Sequence, residues 1–377
     1  MSSNEIQPKI IFVANTSWYL YNFRLPLLKE LVSRGYQVFA LAPYDSYVKK
    51  LEEHGINHIN IRITRSSLNP FADLKLLKHF LTIYRKYKPD IVQHFTIKPV
   101  IYGTLAARIL RIKYIYNMVP GMGYVFTGTS FKKFWIQRIV RYLYRRTMVF
   151  SNHVFFQNMD DCNYFLKHEL VTKNRTTIIA GTGVDTNKFK PTKKIKKKTI
   201  TFVIAARLLW DKGIGEFVEA AHALRRKYNN TDFWVLGPVD LENPKGIRPD
   251  QLQRWNQEGD VQYLGMTDNI KNYLSKADVI VLPSYYKEGL PLSLLEGASM
   301  GMPIITTDST GCREVVEDGV NGFLIPIKDV KSLVASMEKF IKKPLLISQM
   351  GRASRKIVLK KFDSKIIVKQ ILQYYPI

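Results

Sequence analysis

Cysteine and acid are the two things this 377-residue chain is short of. Its two cysteines, Cys162 and Cys312, cannot staple a fold of this length, so a disulfide scaffold is excluded and a reducing compartment is expected. Asp and Glu number 31 against 57 Lys and Arg, a formal net charge of +26. No uninterrupted apolar run reaches the roughly 18–20 residues of a membrane-spanning helix. The start, Met1-Ser2-Ser3-Asn4-Glu5, has the pattern of neither a signal nor a transit peptide. There is no Asp-x-Asp motif and no His/Cys cluster at metal-ligand spacing, so no metal is expected. What is present is ordinary for a globular protein: 46% hydrophobic and 23% charged residues, at a length that suggests about two domains.

The scarcity of acid is uneven. Residues 1–200 carry 33 basic and 11 acidic residues, a balance of +22, while residues 201–377 carry 24 and 20, a balance of +4. Residues 101–150 hold nine basic residues and no acidic one. Such a body attracts polyanions: a phosphorylated ligand, an anionic membrane or nucleic acid. No recognised nucleic-acid signature accompanies the charge, which leaves nucleic-acid binding as a remote alternative. Residues 131–146 read as a helix with Trp135, Ile136, Ile139, Val140 and Leu143 on one face and Arg138, Arg141 and Arg145 on another. That is the pattern of an interfacial helix, and also of a core-packed helix with a solvated basic face.

Apolar runs alternate with helical spacing along the whole chain. Strands are expected at 9–14, 37–42, 57–63, 90–94 and 114–119, with helices at 25–33, 47–53, 71–87 and 102–110 between them. The run Lys193-Lys194-Ile195-Lys196-Lys197-Lys198 reads as a basic linker. Alternation then restarts, with strands near 199–205, 232–236, 261–263, 279–282, 303–306 and 322–325, and helices near 215–228, 270–276, 291–300, 330–342, 347–362 and 363–374. The expectation is two doubly wound parallel-sheet α/β domains facing a cleft, with ligands beyond the carboxyl ends of the strands. The domains are expected at 1–192 and 199–362, with a last helix, 363–377, packing back on the first.

Two motifs carry chemistry. In Glu288-Gly289-Leu290-Pro291-Leu292-Ser293-Leu294-Leu295-Glu296, two carboxylates flank a strand-to-helix turn. Carboxylates accept paired hydrogen bonds from sugar hydroxyls, and a helix start offers unpaired N–H groups. In Ala205-Ala206-Arg207-Leu208-Leu209-Trp210-Asp211-Lys212-Gly213, Arg207 and Lys212 stand just past a strand, where they could clamp a diphosphate.

With these motifs the chain resembles the GT-B glycosyltransferases of the retaining family 4 group. Gly181-Thr182-Gly183-Val184-Asp185, Leu282-Pro283-Ser284, Gly311-Cys312-Arg313-Glu314 and Asp318-Gly319-Val320-Asn321-Gly322 add to the likeness. Asn22-Phe23-Arg24, Phe95-Thr96-Ile97-Lys98-Pro99 and Gly121-Met122-Gly123-Tyr124-Val125-Phe126 resemble the transferases of lipid-linked bacterial glycans, capsules and O-antigens, of N-acetylgalactosaminyltransferase type. The resemblance implies a UDP-sugar donor and an undecaprenyl-diphosphate-linked sugar acceptor. GDP-mannose or another hexose donor is the alternative. It implies front-face displacement with retention, no metal or other cofactor, and a peripheral position on the cytoplasmic face of an anionic inner membrane. By the same resemblance Arg207 and Lys212 would hold the donor diphosphate, Glu288 the donor sugar and Glu296 the ribose. Gly289, Leu290 and Pro291 would supply backbone contacts, Leu264, Gly265 and Met266 would meet the base, and Gly121 and Gly123 would line the cleft. Arg24, Lys98 and Asn15 are the candidates for the acceptor. Where many relatives place a polar residue before the Gly-x-Gly loop, this chain has Pro120, so no side-chain role carries over there. His94 reads as a core or surface histidine rather than a substitute.

Overall fold

The computed structural model describes residues 7–63, 70–122, 126, 131–192, 198–241, 243–287 and 289–376. The chain divides into two compact units, Met1–Thr182 with Ile367–Ile377, and Gly183–Ile366. The expected linker at 193–198 lies almost wholly outside the described residues.

The first unit runs β1 (Lys9–Val13), α1 (Ser17–Ser33), β2 (Gln37–Ala42), α2 (Val48–Glu52), β3 (Asn57–Asn60), α3 (Pro70–Tyr87), β4 (Ile91–Phe95), α4 (Thr104–Ile109), β5 (Tyr114–Val119), α5 (Phe131–Met148), β6 (His153–Phe156), α6 (Met159–Lys167) and β7 (Thr176–Ile178). Its strands form one parallel sheet in the order β3-β2-β1-β4-β5-β6-β7. The inner strands are mostly apolar runs because helices cover both faces, while the edge strands β3 and β7 are short and polar. Helix α1 starts eight residues before the expected one. Thr16 caps it, its Oγ1 accepting from the Tyr19 N–H at 3.1 Å, and Pro26 is carried inside the helix. Elements β6, α6 and β7 were not anticipated.

The second unit runs β8 (Ile200–Ala205), α7 (Ile214–Arg225), β9 (Thr231–Leu236), α8 (Pro249–Gln257), β10 (Gln262–Tyr263), α9 (Ile270–Leu274), β11 (Val279–Leu282), α10 (Leu292–Ser299), β12 (Ile304–Thr307), β13 (Gly322–Ile325), α11 (Val330–Lys342) and α12 (Leu345–Lys361). Its parallel sheet has the order β10-β9-β8-β11-β12-β13, so the winding reverses between β8 and β11. The last helix, α13 (Ser364–Leu372), returns the chain to the first unit.

The boundary falls at 182/183 rather than after 192 because residues 184–189 pack on the second unit. The Val184 N–H donates to the Phe362 carbonyl at 2.8 Å. The Arg355 guanidinium donates to the carbonyls of Thr186 and Phe189, each at 3.0 Å, and to Ser299 at the end of α10. In the other direction Ile367, Val368, Ile371, Leu372 and Tyr375 are buried among the side chains of β1, β2, α1 and β5. The Tyr116 hydroxyl donates to the Tyr374 carbonyl, and the Tyr375 hydroxyl reaches Gln93.

The expected apolar face of α5 splits in two. Val140, Tyr144 and Met148 turn inward with Ile136 and Leu143, while Phe131, Trp135, Ile139 and Tyr142 stay exposed. Among the described residues no helix is long and apolar enough to cross a membrane.

Replacing Arg355 with alanine leaves several acceptors without their donor. The expected cost is about 2–3 kcal/mol, read as a lower urea midpoint for the second unit's transition. An unchanged midpoint would show that the guanidinium is dispensable.

Candidate active site

A parallel sheet sends every strand's carboxyl end to one rim, and a reversal in strand order opens that rim for a ligand. In the second unit the reversal lies between β8 and β11, which places the loops after these two strands beside each other. Arg207 stands two residues past β8, half-exposed, with Nη1 3.3 Å from the Asp240 carboxylate. The chain then makes a 3-10 turn, Trp210–Lys212, which delivers the largely buried Lys212. It leaves through Gly213, whose φ is +75°. A Cβ there would lie 2.2 Å from the Pro283 carbonyl oxygen, so only glycine allows the loops after β8 and β11 to touch.

Hydrogen bonds lock the two loops. The Asp211 carbonyl accepts from the Tyr285 and Tyr286 N–H groups, each at 2.9 Å, and from Ser284 Oγ at 3.2 Å. From the other side Ser309 Oγ donates to the Ser284 carbonyl at 2.9 Å, and Thr307 Oγ1 donates to the same oxygen. The result brings Arg207 and Lys212 to one aromatic ring. The guanidinium carbon lies 6.0 Å from the Tyr286 ring centroid and the Lys212 ammonium 5.0 Å. Sequence reading paired the two cations but missed Tyr286. Its signal was a tyrosine two residues before Glu288, in a loop already singled out.

Glu288 and Gly123 lie outside the described residues. Gly289 and Leu290 lead to Pro291, the residue before α10, and Glu296 sits on that helix. Gly297 packs α10 tightly on β11: a Cβ there would meet Ile280 at 2.8 Å. Burial pushes the Glu296 carboxyl up to about 8, against the pull of the Lys188 ammonium, a neighbour the sequence did not suggest. Leu264, Gly265 and Met266 lie at the adjoining end of β9. The Gly237 N–H donates to the Gly265 carbonyl at 3.0 Å, the Tyr263 hydroxyl donates to the Gly237 carbonyl at 3.1 Å, and Met266 is exposed. A recess of about 270 Å³ opens beside this turn, lined by Val239, Leu252, Asn256 and Tyr263 among others. A larger one, about 670 Å³, lies at the ends of β12 and β13. It holds none of the expected site residues, and its Arg313 is paired with Asp308 at 2.6 Å.

Two of the acceptor candidates in the first unit are engaged by neighbouring side chains. Arg24 is 2% exposed and turned inward. Its guanidinium lies 4.6 Å from the Phe95 ring centroid, and Nη2 donates to the Tyr19 hydroxyl at 2.7 Å. With its amide oriented to satisfy both neighbours, Gln157 accepts from Arg24 and donates to the Pro120 carbonyl, each at 3.0 Å. A sealed cation cannot touch an acceptor phosphate in this arrangement. Lys98 is likewise committed: Nζ lies 2.7 Å from Asp73, whose other oxygen accepts from Tyr102 at 2.9 Å. Asn15 remains half-buried in the turn between β1 and α1, and Gly121 follows β5 with a φ of +155°.

His94 is a core residue. It is fully buried, with Tyr84 Oη 2.8 Å from Nε2 and Asn117 Oδ1 2.9 Å from Nδ1, and burial lowers its pKa to about 4. Both cysteines are buried, and neither forms a disulfide. Among the described residues no group of three or more His, Cys, Asp and Glu side chains is placed to hold a metal ion.

Comparison with known proteins agrees with this architecture. Residues 185–357 match the family described as Glycosyl transferases group 1, and residues 9–158 match the family Glycosyl transferase 4-like. Over 380 residues, 97% of this chain and 98% of the relative, the chain is 30% identical to the N,N'-diacetylbacillosaminyl-diphospho-undecaprenol alpha-1,3-N-acetylgalactosaminyltransferase of Campylobacter jejuni. The chain is a group 1 glycosyltransferase. This transferase is also 26% identical to the UDP-Gal:alpha-D-GlcNAc-diphosphoundecaprenol alpha-1,3-galactosyltransferase of Escherichia coli, over 81% of its own length and 79% of the relative's. Its fold is the two-domain GT-B fold of solved glycosyltransferases. It superposes on a glycosyltransferase from Rickettsia africae with a TM-score of 0.81, at 18% identity and 98% coverage of both chains. Against HepE of Anabaena, solved with UDP and glucose, the TM-score is 0.78, at 18% identity, covering 97% of this chain and 99% of the other.

The raised Glu296 pKa has a measurable consequence for the transferase. Between the ordinary carboxyl value of 4.5 and about 8 the folded state keeps a proton that the unfolded chain releases. The contribution of this group to stability is therefore whole below pH 4.5 and is lost as pH rises through 8. Glu296→Gln cannot titrate, so its melting temperature is expected to gain on wild type from pH 5 to about pH 8 and to level off above it. Parallel melting curves across that range would rule the shift out.

Proposed function

We propose that this transferase moves an N-acetylhexosamine or related sugar from a UDP-sugar to a polyprenyl-diphosphate-linked saccharide, with retention at the anomeric carbon. The observation that carries the reading is the pair Arg207 and Lys212 at the β8/β11 reversal, two cations brought to one ring. The names of two relatives add to it, since both act on sugars linked to diphospho-undecaprenol, and one uses a UDP-sugar. HepE, solved with UDP and glucose, shares the fold.

In this reading the donor diphosphate lies against Arg207 and Lys212. The bond between the anomeric carbon and the diphosphate oxygen breaks, and negative charge grows on the leaving group, where the two cations stabilise it. The acceptor hydroxyl attacks on the same face, forms the new glycosidic bond and passes its proton to the departing diphosphate. Glu288 holds the donor sugar as a carboxylate, and Glu296, protonated until the pH nears 8, meets the ribose hydroxyls with a carboxyl that both donates and accepts. The Gly289–Pro291 backbone approaches the donor, and the turn at Leu264–Met266, with its adjoining recess, receives the base. Because side chains supply the positive charge, the reading needs no metal.

Replacing Arg207 or Lys212 with alanine is expected to lower transfer from UDP-sugars to an undecaprenyl-diphosphate-linked acceptor by on the order of 10²–10³-fold. Chelation with EDTA should leave the wild-type rate unchanged. Full activity in both alanine variants sinks the reading.

The acceptor's lipid gives the exposed edge of α5 a use. Phe131 is 79% exposed, Trp135 50%, Ile139 56% and Tyr142 58%. Arg138 lies 5.8 Å from the Trp135 ring centroid and Arg146 5.3 Å from that of Tyr142. Aromatic groups beside arginines suit the headgroup level of an anionic bilayer, where each basic residue adds about 1 kcal/mol. This face would hold the enzyme on the membrane that carries its acceptor. Vesicles rich in anionic lipid should float wild type. They should float a Trp135→Ser/Ile139→Ser/Arg138→Glu variant poorly. Equal flotation would place membrane contact elsewhere.

A further inference from the structure

We infer that Tyr286 is a positioning residue for the nucleoside diphosphate, holding Arg207 and Lys212 in the places from which they meet the two phosphates. The inference rests on the proposed role of those two cations and goes beyond it, because it assigns their placement to an aromatic ring.

Two positive groups brought to one spot repel each other, and in the unliganded enzyme no phosphate offsets the repulsion. Left alone, each side chain would swing towards water or a carboxylate. Arg207 is already paired with such a carboxylate, Asp240 at 3.3 Å, a contact that a phosphate would have to replace. The face of an aromatic ring carries the negative end of a quadrupole and attracts a cation without neutralising it. It can therefore hold a guanidinium and an ammonium in place while their N–H donors turn to a phosphate. The Tyr286 ring has both cations within cation–π range, 6.0 Å for Arg207 and 5.0 Å for Lys212.

The ring itself is well anchored. The Tyr286 N–H donates to the Asp211 carbonyl at 2.9 Å, one residue before Lys212, and also reaches Ser284 Oγ at 3.2 Å. Ring and ammonium are thus fixed to one peptide unit. Ser284 is fully buried, and its carbonyl accepts from Ser309 and Thr307, so the loop is held from the β12 side as well. A ligand-binding cation on a flexible stem loses side-chain entropy when it binds, and a ring that orders it beforehand lowers that cost.

The test uses the full-length enzyme and four proteins: wild type, Tyr286→Phe, Tyr286→Leu and Arg207→Ala. UDP binding is followed by calorimetry, uridine binding by NMR titration, and donor kinetics in the transfer assay. Tyr286→Phe keeps the ring and is expected to bind UDP within about twofold of wild type. Tyr286→Leu loses it and should bind UDP about tenfold more weakly, 1.4 kcal/mol by the tenfold constant, with uridine affinity unchanged. Its donor KM should rise more than its kcat falls, and the melting temperature without ligand should stay near wild type. Wild-type affinity for UDP in Tyr286→Leu overturns the inference. So does an equal loss for uridine and UDP, which marks a general disturbance of the site, or an equal loss in Tyr286→Phe, which assigns the effect to the hydroxyl. Arg207→Ala separates the two levels. If it abolishes UDP binding while Tyr286→Leu binds UDP as wild type does, the donor reading stands and the ring's part in it falls. If wild type binds no UDP, both fall.

Discussion

The carbonyl oxygen of Asp211 accepts from two consecutive N–H groups and a serine hydroxyl, all in the loop after β11. Through that oxygen the two central strands of the second sheet share one rim. Lys212 follows the carbonyl directly, Tyr286 hangs from it, and Gly213 lets the loops approach closely enough for the bonds to form. Release of the loops would part the ring from both cations. Lengthening either loop would do the same, which gives the short stretch from Arg207 to Gly213 a geometric reason for its length.

Much of this was legible in the sequence, for a physical reason. Strands buried on both faces are apolar runs, and their ends are marked by Gly, Pro and small polar residues, so β5, β11, β13 and α11 are found where periodicity places them. Arg207 and Lys212 are five residues apart, near enough for their pairing to be read along the chain. What was not legible depends on groups that meet only after folding. Lys98 is paired by Asp73, 25 residues away. The fate of Arg24 is set by the ring of Phe95 and the amide of Gln157. Nothing local distinguishes a lysine awaiting a phosphate from one whose carboxylate arrives from another helix. The unit boundary was misplaced for the same reason, since Arg355 claims residues 186 and 189 from far along the chain.

Positive charge is spent differently in the two units. The second, nearly balanced, concentrates it: two cations at one ring. In the first it is mostly dispersed over the surface, and one cation is buried. Arg24 lies on an aromatic face with its Nε without an acceptor among the described residues. Its contacts run through Gln157 to the Pro120 carbonyl, just ahead of Gly121. Removing a cation from water without a carboxylate partner is costly, so the neutral acceptors and the ring around Arg24 must together offset that cost.

The return of α13 has a consequence in time. Residues 367–377 leave the ribosome only after the whole of 183–366, yet Ile367, Ile371 and Tyr375 belong to the core beneath β1 and β5. The half synthesised first therefore cannot close its core until the half synthesised second has emerged in full. During translation the nascent basic half carries an open apolar seam, and the final turns of the chain seal it. Vectorial synthesis thus makes the older sheet wait for the younger one.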